Sequence, residues 1–551
     1  MEFEAVSYRE LGASALLTDY VEGQKALQSF YDPENPFDYS SFQSFTAKRF
    51  GKVSRENLVQ FLLEYNQGFT AGKSTIESIQ SLQSPNSYTI VTGQQACFLG
   101  GPAYSFYKTL TVIALSRYLK EKADLNIVPV FWIADEDHDH DEINHIYLPD
   151  FKANQSNRKF SFRSLGDLPF AAGDIKVNEE AERLLSEIGE ASNKGSAYAE
   201  SLEKLHDSWQ SGKPWVKAFG AQMMQVFGRF GLVLAGSNHP KVKQLCRPVF
   251  EKVLTNPVVL RDELELTSAK LAQNWKAQVA VTDSLLFYHD PAMGRIKIPF
   301  SATGWKLPGR HESELFTEET VQNLPDSFFA RLSPNALLRP VVQQYLLPNI
   351  AYAGGAAELA YHGQLKTFFR CFGLDLPVLL PRFSTTVVEQ NICKTMAGMP
   401  FPLLSYKKRE EELLKSVVLM SLSKDGLASP VRALEKWKAE HEKLYRQFFE
   451  GYAEPDSSLE TSLNSSLKRA ENAAEQFIAK VMREKKKKEK VAQKRILKVK
   501  EALFPSGVLQ ERTVGWAYYY SMYGDTLLDD FLNHLSEDTL QKIRFHHISY
   551  I

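Results

Sequence analysis

VPVFWIADEDHDHDEINH, running from Val128 to His145, is the stretch whose reading decides the fold class. Its opening, Val128 to Ala134, is apolar, β-branched or aromatic throughout. That is the pattern of a parallel strand buried on both faces. The chain then changes abruptly to Asp135, Glu136, Asp137, His138, Asp139, His140, Asp141, Glu142 and His145. A solvated surface does not need so dense a cluster of carboxylates and imidazoles, and an apolar core does not tolerate it. Open α/β sheets bind ligands just beyond the carboxyl ends of their strands, so the cluster stands where a site is expected.

Working outward, Ser87 to Val91 (SYTIV) reads as a second strand. It runs into the loop TGQQACFLGGP, Thr92 to Pro102, and then into a helix over Ala103 to Lys122 with Pro102 placed near its first turn. This β-loop-α-β order predicts a doubly wound α/β sheet. Leu232 to Ala235 and Pro377 to Leu380 read as further core strands, and residues 1–80 as mostly helical. The core is expected in three pieces, 1–150, 226–260 and 333–395, separated by insertions over 151–225 and 261–332. Strands over Ser284 to Tyr288 and Arg295 to Ile298 fall in the second insertion.

After about residue 395 the composition turns to Lys, Glu, Leu and Ser, so 396–551 is read as a C-terminal helical region. Leu434, Trp437, His441, Leu444 and Phe448 recur at spacings of three and four, as do Leu463, Leu467, Ala470, Ala474, Phe477 and Val481. With Pro455 between them, these stripes predict an antiparallel coiled coil over about 430–500. The basic run Lys485 to Lys488 is read as a solvated helix face, since no interleaved aromatics support base stacking.

The bulk numbers narrow the class. With 551 residues the chain exceeds one core. Lys+Arg is 65 against Asp+Glu 66, a net charge of -1, which argues for neither nucleic acid nor a membrane surface. Four scattered cysteines, Cys97, Cys246, Cys371 and Cys393, make neither a disulfide framework nor a zinc module, and the expected compartment is a reducing cytoplasm. The N-terminus lacks the marks of a signal peptide, and no apolar run reaches a membrane span.

Four constellations carry candidate chemistry. Thr92-Gly93-Gln94-Gln95 with Gly101, ahead of a helix bearing Lys108, suits an anion at a helix N-terminus; the alternative is a tight turn with a surface lysine. The acidic cluster can serve as acid or base, hold a cation or grip an amine. His138 and His140 allow zinc, but no cysteine partner supports it, and no metal site is assigned. Arg339, Gly354, Gly355 and Glu358 suit a carboxylate or phosphate approached closely by backbone, or else an ion pair before a helix. Glu511-Arg512 with Trp516, Tyr518, Tyr519, Tyr520 and Tyr523 is either a packing face or a wall for a nucleobase.

TGQQ, VPVFWIADEDHDHDEINH, SPNALLRPVVQQYLLPNIAYAGGAAELAYHGQL and the late LQER, in this order, resemble the bacillithiol biosynthesis cysteine-adding enzyme family over nearly the whole chain. Asp135 departs from the small residue that the family pattern implies, and the CFLGGPAYS stretch is a variant that leaves the role of Cys97 open. The resemblance implies a Rossmann-like core similar to class I nucleotidyl transferases, two connective insertions and a coiled coil that makes a homodimer. It implies addition of cysteine to glucosaminyl-malate and an ADP-binding pocket near the coiled coil; since amide formation from a free carboxylate is uphill in water, ATP or ADP with Mg²⁺ is the expected cofactor. The expected catalytic residues are Lys108, Asp137, His138 and Asp141. Gln94, Gln95, Tyr104, Glu136, Asn144, Arg339, Gly354, Gly355 and Glu358 are expected to bind substrate, and Thr92, Gly93, Gly101, Trp516 and Tyr519 the nucleotide. Rival readings are a metal-dependent hydrolase or transferase at the acidic cluster, and a nucleotide-binding scaffold without ligase chemistry.

Overall fold

The computed structural model describes residues 1–33, 35–150, 156–191, 204–308, 313–424, 428–451 and 457–551; the expected break at Pro455 lies outside them. Two compact units form, Met1–Thr386 with Gln510–Ser549, and Val387–Leu509 with Tyr550–Ile551. The region expected as one C-terminal helical piece, 396–551, therefore divides, and 510–549 folds with the first unit.

The first unit is built on five strands, β1 (Ser87–Gln94), β2 (Asn126–Ile133), β3 (Val233–Gly236), β4 (Asn349–Gly354) and β5 (Val378–Pro381), in the spatial order β5-β4-β1-β2-β3. All four neighbouring pairs are parallel. Crossovers through helices cover both faces, which is why the strands read as continuous apolar runs. The registers align Gln94 with Ile133, Ile133 with Gly236, and Gly354 with Pro381, so the carboxyl ends share one edge. Strand β1 continues past the expected end at Val91 because its pairing with β2 runs unbroken to Gln94. Thr92 and Gly93 are thus strand residues: the Thr92 hydroxyl donates to Ala353 O at 2.7 Å, and a Cβ at Gly93 would press on Trp132 O.

The helix Ala103–Ala123 follows β1 and is buried on nearly every side. The segment leading into the helix Trp516–Ser536 seals its N-terminus. Ala103 N–H donates to Val514 O at 2.9 Å, and Trp516 N–H to Gly101 O at 3.3 Å. A small second sheet places the C-terminal strand His546–Tyr550 between Glu2–Val6 and Ser384–Val388. The antiparallel pair His145–Asp150 and Ser156–Ser161 straddles the expected boundary between the first core piece and the first insertion. In the second, Leu286–Asp290 lies between Gly294–Lys297 and Leu332–Pro334.

The second unit is helical, chiefly Glu410–Lys424, Ala428–Glu450, Ser457–Lys488 and Lys490–Leu503. Ala428–Glu450 and Ser457–Lys488 pack along one another, with Lys438 paired to Glu475 across them.

Candidate active site

A cavity of about 880 Å³ opens at the carboxyl edge of the sheet. Strand order decides which residues meet there. Gln94 and Gln95, at the end of central β1, stand between two walls. On the β2–β3 side are Glu136, Asp137, His138 and Ser237; on the β4–β5 side are Gly355, Glu358 and Arg382. Tyr104, Lys108, Arg295, Arg339, Tyr352, Tyr361 and Arg512 also line it.

On the β4–β5 side, the Lys108 ammonium is buried and fully engaged. It pairs with Glu358 Oε2 at 2.5 Å and donates to Gly93 O at 2.7 Å and Gln94 Oε1 at 2.9 Å. Burial pushes Lys108 down, and Glu358 opposes that shift. Burial alone would raise the Glu358 carboxyl, but Lys108, the Tyr352 hydroxyl at 2.5 Å and Gly355 N–H at 2.8 Å outweigh it and hold Glu358 below the usual range. Among the described residues Arg339 has only neutral hydrogen-bond partners, Gln343 Oε1 at 3.1 Å and the Tyr361 hydroxyl at 2.8 Å, so no carboxylate there cancels its charge by direct contact. Arg382 is different, because a bidentate pair with Glu511, at 2.8 and 2.5 Å, neutralises it. Arg512 donates to no protein acceptor among the described residues and is exposed at the rim.

On the β2–β3 side, Glu136 is buried and pairs with Lys243, while the Ser237 hydroxyl donates to its other oxygen. Asp137 accepts N–H groups of His138 and Asp139 at 2.8 and 3.4 Å and the Gln95 amide at 2.8 Å. The same Gln95 amide also donates to Glu142. His138 Nδ1 lies 2.8 Å from Arg295. Asp135 points away from the cavity: it accepts the N–H groups of Ser237 and Asn238 at 3.0 and 2.9 Å and the Tyr65 hydroxyl at 3.0 Å. Burial pushes it up to about 6 against those bonds.

Eleven residues expected at the site do line the cavity: Gly93, Gln94, Gln95, Tyr104, Lys108, Glu136, Asp137, His138, Arg339, Gly355 and Glu358. Seven do not. Asp141 is exposed outside it, and Asn144 is buried beneath it with its amide 3.4 Å from Asp141. Thr92 is locked in the sheet, and Gly354 ends β4 without lining the cavity. Gly101 adopts φ 72° against Cys97, and the helix N-terminus behind it is closed by Val514, so no open anion cradle forms there. Trp516 stacks on Phe106 at 5.5 Å and Tyr519 is buried, so this aromatic set is a packing face and not a wall of the cavity. Cys97 is buried, and its thiol is pushed up to about 12, first by burial and then by Glu142. Among the described residues no group of three or more His, Cys, Asp or Glu side chains is arranged for a metal ion. His138 faces Arg295, while His140 bonds Phe170 O at 2.8 Å.

Arg295 and Tyr352 carried no signal in the sequence, since one lies in an insertion hairpin and the other in an apolar strand. Arg382 did carry one, as a charge directly after a core strand.

The family model described as "Bacillithiol biosynthesis BshC, N-terminal Rossmann-like domain" matches residues 1–383, and "Bacillithiol biosynthesis BshC, C-terminal coiled-coil domain" matches 385–545. A relative from Bacillus thuringiensis (strain Al Hakam), named "Putative cysteine ligase BshC", is 26% identical over 100% of this chain and 99% of its own length. A relative of the same name from Bacillus cereus (strain 03BB102) matches to the same extent. A solved structure titled as a "putative arginyl t-RNA synthetase" from Campylobacter jejuni covers 90% of this chain and 95% of its own at 10% identity, with a TM-score of 0.22. The two family models together span the parallel-sheet unit, its cavity and the helical unit, and the chain belongs to the bacillithiol biosynthesis BshC family.

Proposed function

We propose that this chain is a ligase that joins the carboxylate of cysteine to the amine of glucosaminyl-malate, the last step of bacillithiol synthesis, with MgATP consumed to activate the carboxylate. The observation that carries this reading is the division of one cavity by β1. Arg339 and Arg512, with no carboxylate hydrogen-bond partner among the described residues, lie on the β4–β5 side. On the β2–β3 side Asp137 offers a carboxylate that no lysine or arginine bonds, near Arg295, while Glu136 is matched by Lys243. The substrates need both. Malate, the amino-acid carboxylate and the phosphates are anionic, and the two amines are cationic until they react.

Amide formation from a free carboxylate is uphill in water, so an activated acyl group is required. Arg339 and Arg512 would receive the anionic groups, with planar guanidinium donors suited to carboxylate and phosphate. Lys108 would act indirectly, by holding Glu358 and the Gln94 side chain in place, since its own charge is already matched. Asp137 would take the proton released when the amine attacks. Mg²⁺ would enter bound to the nucleotide phosphates. The reducing cytoplasm suits four free cysteines, and a homodimer formed through the C-terminal helices completes the reading.

Purified protein incubated with MgATP, cysteine and glucosaminyl-malate should yield the cysteinyl product, read by mass spectrometry together with the nucleotide. AMP would indicate an acyl-adenylate, and ADP an acyl-phosphate. Absence of the product with ATP left intact would overturn the proposal and favour a nucleotide-binding scaffold.

A further inference from the structure

The contact between Arg295 and His138 restricts the histidine more tightly than its place in an acidic cluster suggests. An arginine only donates, so the 2.8 Å contact from its Nη1 makes His138 Nδ1 an acceptor. The remaining ring nitrogen, Nε2, must then carry the hydrogen in the neutral ring. Arg295 cannot easily swing away. Its Nε donates to the Ser333 hydroxyl at 2.9 Å and its Nη2 to Pro334 O at 2.8 Å, while its guanidinium lies 3.9 Å from the centre of the Phe287 ring. The backbone joins in, with Arg295 N–H donating to Pro169 O at 2.8 Å. Asp137 Oδ1 lies 3.9 Å from His138 Nδ1, farther than a hydrogen bond, while His138 Nε2 has no protein partner among the described residues and the side chain lines the cavity.

We infer that Arg295 holds His138 as a neutral imidazole with its proton on Nε2, so that His138 is a hydrogen-bond donor to the reacting acyl oxygen and not the base. The inference rests on the ligase reading above and deepens it. In the reaction, the amino-sugar ammonium first loses one proton to solvent, and the freed lone pair on nitrogen forms the new C–N bond to the activated cysteinyl carbon. The carbonyl π pair moves to oxygen, where the Nε2–H of His138 stabilises it. Return of that pair expels the phosphorylated leaving group, and the nitrogen's proton passes to Asp137. A donor aimed at the developing oxyanion commonly contributes about 10²- to 10³-fold in kcat.

The charges around the ring agree with this. Burial and then Arg295 lower the His138 pKa, His140 adds to the lowering, and Asp137 and Asp139 oppose it without reversing it. The Phe287 ring, 5.6 Å away, supplies no countercharge. With Nδ1 occupied by a cation, protonation of the ring would place two positive charges in direct contact.

The deciding measurement is ¹⁵N NMR of histidine-labelled protein, with His138→Gln used to assign the signals. It needs no turnover, so it stands even if the substrates named above are wrong. A pyridine-like Nδ1 and a pyrrole-like Nε2 are expected, and neither should titrate near the ordinary histidine value of about 6.5. In Arg295→Met the ring should mix tautomers and titrate at higher pH than in wild type, and the acidic limb of kcat/KM should move up with it. If turnover is found, His138→Ala should lose about 10²-fold or more in kcat, and His138→Gln, whose amide still donates, should recover part of it. A proton on Nδ1, a charged ring at pH 7, or an Arg295→Met spectrum identical to wild type would overturn the tautomer assignment. An unchanged kcat in His138→Ala would overturn the catalytic role.

Discussion

Asp135 shows how a residue in a functional motif can serve the scaffold. It sits in the acidic stretch, yet its Oδ1 caps the turn after β3 by accepting the N–H groups of Ser237 and Asn238. Its pKa is raised from 3.8 to about 6, chiefly by burial, so the folded chain holds the proton more tightly than the unfolded one. Its stabilising contribution is then full below 3.8 and is lost as the pH rises through about 6. At about 1.4 kcal/mol per unit the span is worth about 3 kcal/mol. Asp135→Asn removes the ionisation and keeps an oxygen for the two N–H groups. The substituted protein should be more stable than wild type at pH 7, by up to about 3 kcal/mol, and close to it at pH 4. Urea unfolding of both proteins at the two pH values measures this, and parallel pH profiles would show that Asp135 does not titrate as described. The same burial explains why the residue types alone mark the cluster without ranking it, and why Asp135 is set apart only by its departure from the family pattern. Carboxylates that accept backbone N–H groups and carboxylates that face a cavity look alike until the turn after β3 is placed.

Among the elements, the turn Gln510–Arg512 has an importance that its length conceals. Buried Glu511 accepts both terminal nitrogens of Arg382, the Ser384 hydroxyl at 2.9 Å and Thr385 N–H at 3.2 Å, so this turn is fixed to the end of β5. Removing one partner of a buried ion pair leaves the other charge unmatched in a poorly solvated site. Glu511→Ala should therefore cost about 3–5 kcal/mol, with Glu511→Gln costing less. Denaturant unfolding gives the stability, and a raised KM for the anionic substrates should accompany it, because Arg382 and Arg512 both line the cavity. Equal stability of Glu511→Ala and wild type would show that the pair is dispensable. The parallel strands were legible from sequence because burial on both faces writes an apolar run into each. The small sheet was not. Glu2–Val6 and His546–Tyr550 are short, partly polar segments from the two ends of the chain, and neither alternates clearly enough to declare a strand. Trp516 and Tyr519 stayed ambiguous for a related reason, since an aromatic cluster has the same composition whether it packs a helix or stacks on a base.

For the molecule as a whole, the division of labour between its units makes a separable prediction. Every residue lining the cavity belongs to the unit formed by 1–386 and 510–549, so the site is furnished without the helical unit. That unit exposes large apolar side chains along the stripe read from sequence. Trp437 is 41% exposed, Leu444 62% and Phe448 75% on one helix, and Phe477 61% on the next. Spacings of seven and four place Trp437, Leu444 and Phe448 on one face. Contiguous exposed apolar surface marks an association site, because covering it removes that area from water at about 25 cal/mol per Å². If a second copy supplies the cover, Leu444→Glu with Phe448→Glu should convert a dimer to a monomer in light scattering after size exclusion. Helix content by circular dichroism should be unchanged, because both changes are at solvent-facing positions. Turnover per chain should fall by less than about twofold, as expected for surface changes at residues that do not line the cavity. A wild type that is already monomeric at micromolar concentration would remove the dimer. A monomeric variant that loses all activity while staying folded would instead mean that the second copy supports the site from outside the lining residues.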